Sequence, residues 1–176
     1  TEKDTYGNTH YAYNQYYKGI LVEGGQLMLH EKDARLELAN GKIYTQISIN
    51  VNPLINKSNA IDLALKAVPA TKYIWQNLSE EKLLQDQLSD KKASRYPAPE
   101  LVICKEDKTS KDILAYKVHV RAEIPFVDKW MLLDAQNGRL IRIADANGHI
   151  NFPSRGSTLY SGNQNFTSNF SNLHFS

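Results

Sequence analysis

The five residues His30-Glu31-Lys32-Asp33-Ala34 come within one side chain of a catalytic metal motif. In H-E-x-x-H, two histidines one helical turn apart hold a zinc ion, and the glutamate between them activates the bound water. Ala34 occupies the second ligand position, and the flanking Leu27, Leu29, Leu36 and Leu38 alternate as strand residues do. The stretch is therefore expected to be strand and turn, not a metal centre. None of the other histidines, His10, His119, His149 and His174, stands at metal-ligand spacing from another. His10, His30 and His119 fall within strand patterns, which favours structural roles. Ser154, Ser157 and Ser161 have no base close in sequence, so a serine nucleophile lacks support. Gly24-Gly25 precedes no helix and reads as a hairpin turn, not a phosphate loop. Four glycosylation sequons begin at Asn56, Asn77, Asn165 and Asn169.

With 176 residues and 41% hydrophobic content, the chain can build one ordinary domain or two small ones. A formal net charge of +2, with basic and acidic residues interspersed, supplies neither a basic stripe for nucleic acid nor a charge block for a membrane. No apolar run is long enough to insert into a bilayer. The single Cys104 lies in the apolar run Leu101 to Cys104 and reads as a small buried strand residue. Trp75 and Trp130 read as core anchors.

The elements that must position these residues divide at Asn52-Pro53. Before it, Thr9 to Tyr17 alternates Tyr11, Tyr13, Gln15 and Tyr17 with His10, Ala12, Asn14 and Tyr16, an aromatic strand that needs cover on one side. Ile20 to Val22 starts a second strand, Gly24-Gly25 turns the chain, and Gln26 to Glu31 forms a third. Asn40-Gly41 is then expected to make a tight hairpin into a long strand with Ile43, Thr45, Ile47, Ile49 and Val51 on one face. After Pro53 the period becomes helical: Ile61, Ala64, Leu65 and Val68 follow Ser58 as N-cap, and Pro69 closes the helix. A second helix spans Ser79 to about Lys92. Strands follow at Leu101 to Lys105, Ala115 to Arg121, Lys129 to Asp134 and Arg139 to Ala144. The composition from Asn147 to Gly156 is that of an exposed loop, and Thr158-Leu159-Tyr160 resumes a strand. The fold class is α+β, as two small modules, each an antiparallel sheet packed with helix.

The stretch THYAYNQYYKGILVEGGQLMLHEKDARLELANGKIY resembles the FTP module, the fungalysin/thermolysin propeptide domain. INVNPLINKSNAIDLALKAVPATKYIW, with PELVI, LAYKVHV and DKWMLLDAQNGRLIRIADANG, resembles the PepSY module that follows it in precursors of thermolysin-like zinc proteases. GSTLYSGNQNF, from Gly156 to Phe166, is similar to the first strand of a mature thermolysin-like catalytic domain. The resemblance implies an FTP-like module over 1–52, a PepSY-like module over 53–146, and a processing linker with the start of the catalytic domain over 147–176. It also implies a pro-region that assists folding of the attached protease and then inhibits it, with no catalytic activity or metal ligands of its own. Zinc and calcium are expected in the catalytic domain, which would be the partner. Secretion or periplasmic export behind an upstream signal peptide is expected. The segment Asp145, Ala146, Asn147, Gly148, His149, Ile150, Asn151 and Phe152 is expected to lie in the protease cleft as an added strand, where His149 could approach the zinc. Self-cleavage is expected at Asn151-Phe152 or His149-Ile150, since enzymes of this type favour a bulky apolar residue after the cut. The competing reading is a free-standing secreted binding module, for which a protease-like tail would have no purpose.

Overall fold

The computed structural model of the chain describes residues 2–5, 7–107, 109–146, 150–158 and 162–170, the last two stretches as paired backbone. The strands are β1 (Glu2–Lys3), β2 (Thr9–Tyr17), β3 (Ile20–Lys32), β4 (Arg35–Lys42), β5 (Lys72–Tyr73), β6 (Glu100–Lys105), β7 (Asp112–Ile124), β8 (Val127–Asp134), β9 (Leu140–Asp145), β10 (Ile150–Thr158) and β11 (Gly162–Phe170). Helix α1 (Lys57–Ala67) precedes β5, and α2 (Leu78–Leu88) follows it after a 3-10 turn at Ile74–Gln76. The result is an α+β fold dominated by one open sheet, ordered β1-β2-β3-β6-β7-β8-β9, with β4 on β3 and β5 on β7. β10 and β11 form a separate hairpin.

Gly24-Gly25 does not turn the chain. β3 runs straight through it as a bulged strand of 13 residues. The register steps from Asn14 opposite Gln26 to Tyr16 opposite Leu21, which leaves Val22 to Gly25 facing Gln15 alone. Gly24 supplies a positive φ of 72°, and a Cβ at Gly25 would meet the Gln15 side chain at 2.7 Å, so glycine is required for the close approach. The bulge lets one strand serve two neighbourhoods. Leu21 and Val22 pair in parallel with Val102 and Ile103 of β6, while Gln26 to Glu31 pair with both β2 and β4. Strands from both sides of residue 52 thereby share one sheet.

The hairpin expected at Asn40-Gly41 lies instead at Asp33-Ala34, both with φ near 50–60°, and Asn40-Gly41 pairs within β4. His30 and Glu31 are thus strand and Ala34 is turn, as their spacing indicates. The strand expected over Ile43 to Val51 has no ladder: residues 43–52 are irregular. The expected face holds only in part: Ile47 and Ile49 are half-buried against the core, but Ile43 and Thr45 are exposed and Tyr44, of the opposite parity, packs inward in their place. Its backbone is held from the side. Gln15 accepts from the Tyr44 N–H at 2.8 Å and donates to the Tyr44 carbonyl at 2.7 Å, its amide standing in for a strand neighbour.

α1 packs on β7 and β8, where Ala60, Ala64 and Val68 meet Tyr116, Val118, Val120, Met131 and Leu133. Its N-cap is Asn56, not Ser58: the Asn56 side chain accepts from Asn59 N–H at 2.8 Å. Asn77 caps α2 in the same way, so these two sequon asparagines spend their side chains on helix starts. α2 ends at Leu88 and not near Lys92, because Ser89 adopts the left-handed conformation that closes a helix. A smaller core on the opposite sheet face joins Val102, Cys104, Ala115 and Leu132. No helix lies among the described residues 2–52, so helix packing belongs to the second half alone.

Candidate functional site

Strand alternation assigns the side chains of the N-terminal sheet to two faces. Partners across a ladder share a face. Tyr11 opposes Leu29 and Tyr13 opposes Leu27; Leu29 opposes Ala39 on the far side. The β4 register slips at Glu37, which places Leu36 opposite Glu31 on this face and Leu38 opposite His30 on the other. The simple alternation of Leu36 with Leu38 is therefore broken. One face thus carries Tyr11, Tyr13, Leu27, Leu29, Leu36 and Ala39. Tyr11 and Tyr13 stack with ring centroids 6.5 Å apart. Tyr11 donates to Glu31 at 3.3 Å, and the Glu31 charge, then desolvation, then that hydrogen bond push its phenol up.

The other face mixes His10, Asn14, Gln26, His30 and Asn40 with Ala12, Met28 and Leu38. His10 and His30 are directly opposite, with Nδ1 atoms 2.7 Å apart. His10 Nε2 lies 3.3 Å from the Asp4 carboxylate and His30 Nε2 lies 3.0 Å from Asn40 Oδ1. This is a cross-strand relay, Asp4–His10–His30–Asn40, and strand parity plus hairpin register was the signal that could have paired the two histidines. Among the described residues no group of three or more His, Cys, Asp or Glu side chains could hold a metal ion.

In the second half, the face away from α1 carries a ladder of charged and aromatic groups. Glu23 pairs with Lys117 at 2.7 Å, and the Lys117 ammonium lies 4.9 Å from the Trp130 ring centroid. His119 stacks on the same ring at 4.2 Å and meets Asp128 at 2.5 Å; Arg121 meets the other Asp128 oxygen at 3.5 Å. His119 is thus held between the Trp130 ring and the Asp128 carboxylate. Trp130 is a half-buried platform and not a core anchor; Trp75 likewise sits half-buried between Tyr73 and Tyr96.

This ladder fixes where the expected cleft-binding segment begins. Asp145 ends β9, opposite Lys129, and their side chains meet at 2.5 Å. The Ala146 N–H donates to the Asp128 carbonyl at 2.9 Å. Asn147, Gly148 and His149 lie outside the described residues, as does His174. Ile150, Asn151 and Phe152 are in β10, opposite Phe170, Asn169 and Ser168. Residues 150–156 are therefore paired strand where composition suggested loop: ladder bonds need only backbone groups, and Pro153 removes a single donor.

No helix of the described residues is long and apolar enough to cross a membrane. A comparison with curated proteins gave no match. Residues 1–43 match FTP, the Fungalysin/Thermolysin Propeptide Motif, a span that closes one residue beyond β4, and this match supports a thermolysin-like propeptide.

Proposed function

We propose that this chain is the pro-region of a secreted or periplasmic thermolysin-like zinc metalloprotease, acting as intramolecular chaperone and then as active-site inhibitor until it is cleaved. The observation that carries the reading is the propeptide motif over residues 1–43. Residues 53–146 form a PepSY-like module in this reading, and the catalytic domain that follows is the partner and holds the zinc and calcium. The physics is direct. A large catalytic domain with many non-local contacts folds slowly, and a prefolded partner that binds only its native state stabilises that state by mass action. The segment from Asp145 to Phe152 leaves β9 at a point fixed by the Ala146–Asp128 hydrogen bond and, in this reading, enters the cleft as a substrate strand does. Processing at Asn151-Phe152 or His149-Ile150 requires the β10–β11 hairpin to open, which is easy for an isolated two-stranded hairpin.

The test adds the purified chain in trans to the catalytic domain of the same precursor. It should inhibit hydrolysis and raise the yield of active enzyme on refolding. N-terminal sequencing of the processed enzyme should give a start at Ile150 or Phe152. Absence of both inhibition and assisted refolding would overturn the proposal.

A further inference from the structure

The N-terminal sheet presents an apolar face that no helix of the described chain covers. Of the described residues before Pro53, only Val22 and Gly25 are buried; Tyr13 is 52% and Leu36 61% exposed. A sheet with one apolar face is stable when something packs on it. That face continues the side of the sheet on which α1 packs, because Tyr17, Ile20 and Val22 join the α1 core. Cover from residues 43–49 reaches as far as the Gln15–Tyr44 clamp. Beyond that clamp lie Tyr11, Tyr13, Leu27, Leu29, Leu36 and Ala39. The residues that match the propeptide motif, 1–43, are the ones that build this sheet.

We infer that the Tyr11–Tyr13–Leu27–Leu29–Leu36 face is the docking surface for the catalytic domain of the same precursor, separate from the Asp145–Phe152 segment that enters its cleft. The inference rests on the propeptide reading and deepens it. Two attachment points follow from one sheet. The segment after β9 blocks the active site, and the aromatic face at the other end holds the catalytic domain through rigid Tyr and Leu contacts. Such a second contact raises affinity without touching the reacting groups, in the manner of a linked bivalent ligand.

The experiment uses a matched pair on one strand. Leu36→Ser and Leu38→Ser alter equally apolar, comparably exposed side chains (61% and 54%) that the β4 bulge places on opposite faces. With the full chain and the catalytic domain of its precursor, Leu36→Ser and Tyr13→Ser should each raise the inhibition constant about tenfold or more, while Leu38→Ser leaves it within about twofold. Circular dichroism should show all three folded. Equal inhibition by wild type, Leu36→Ser and Tyr13→Ser overturns the docking face while leaving the propeptide reading intact. A wild-type chain that neither inhibits nor assists refolding overturns both. Self-association of the wild-type chain abolished by Leu36→Ser, with inhibition unchanged, assigns the face to a second copy and also overturns the inference.

Discussion

Residues 2–42 and residues 57–146 are built from the same antiparallel strands with the same alternation, and they differ in what lies against them. In the second region α1 covers one face and a smaller cluster fills the other, so that Ile103, Val118, Val120, Met131 and Leu133 are buried almost completely. In the first, every residue of β4 is exposed, and Tyr13 of the Tyr11–Tyr13 stack is exposed while Tyr11 is half-buried. Period two reports which side chains share a face. It does not report whether the same chain supplies the cover. The helix-backed region holds the core that the chain covers itself, and the open sheet carries the face proposed for docking.

The largest expected effect lies in the helix-backed region. Leu133→Ala should cost about 2–5 kcal/mol in urea unfolding, the range for emptying a packed core site, whereas Leu36→Ser should stay within about 0.5 kcal/mol. Equal losses would break the comparison. Cys104 offers a second readout of the same core. Burial, the main cause, pushes its thiol up to about 11 against a smaller opposing pull from Arg142. Almost no thiolate exists at neutral pH, so the folded chain should resist a disulfide-exchange reagent until the core opens, and Leu133→Ala should accelerate labelling.

A middle-sized effect is expected at the junction. Gln15→Ala removes both hydrogen bonds to Tyr44 and leaves a half-buried peptide group without its partners, at about 1–3 kcal/mol. Hydrogen exchange should rise at Tyr44 and its neighbours. Unchanged exchange there would show that side-chain packing alone holds residues 43–52.

The smallest effect is that of acid. Hydrogen bonds from Lys72, then Asn77, hold the Glu123 carboxyl below the usual carboxylate value; those from Thr109, then Arg139, do the same for Glu106. A depressed folded-state value gives stability that is present above the unfolded value of about 4.5 and is lost as pH falls through the folded one. Both groups are solvent-screened, so the loss is small. Melting should weaken modestly between about pH 5 and pH 3, and Glu123→Gln should flatten that dependence. A slope unchanged in Glu123→Gln would remove Glu123 from the account.

Legibility followed the range of the interaction. β2 was readable to the residue, and the strand-and-turn character of His30 to Ala34 followed from Leu27 and Leu29 and the missing second histidine. Gly24-Gly25 misled, because a glycine pair serves a bulge as well as a hairpin and only the partner strand distinguishes them. Residues 43–51 misled in the opposite way: Ile47 and Ile49 turn inward as the alternation indicates, but Ile43 and Thr45 are exposed, Tyr44 packs in their place, and no ladder forms. The pairing of His10 with His30 was latent in the parity of β2 and β3, and needed the Lys18-Gly19 turn and the bulge at Val22 to Gly25 to fix the register.

The sequence by itself determined which segments become strand or helix around the α1 core, the absence of a complete H-E-x-x-H, and the aromatic alternation of Tyr11 and Tyr13, since each depends on neighbours within a turn or two of chain. Tertiary structure alone decided that β3 joins β6 and so links the two regions, that Leu36 and Leu38 part to opposite faces, that Ala146 is anchored at Asp128, and that no helix of the described residues lies over the tyrosine face. Those outcomes depend on register between segments far apart in the chain. A shift of one residue reverses every side chain's face, and no local pattern encodes it.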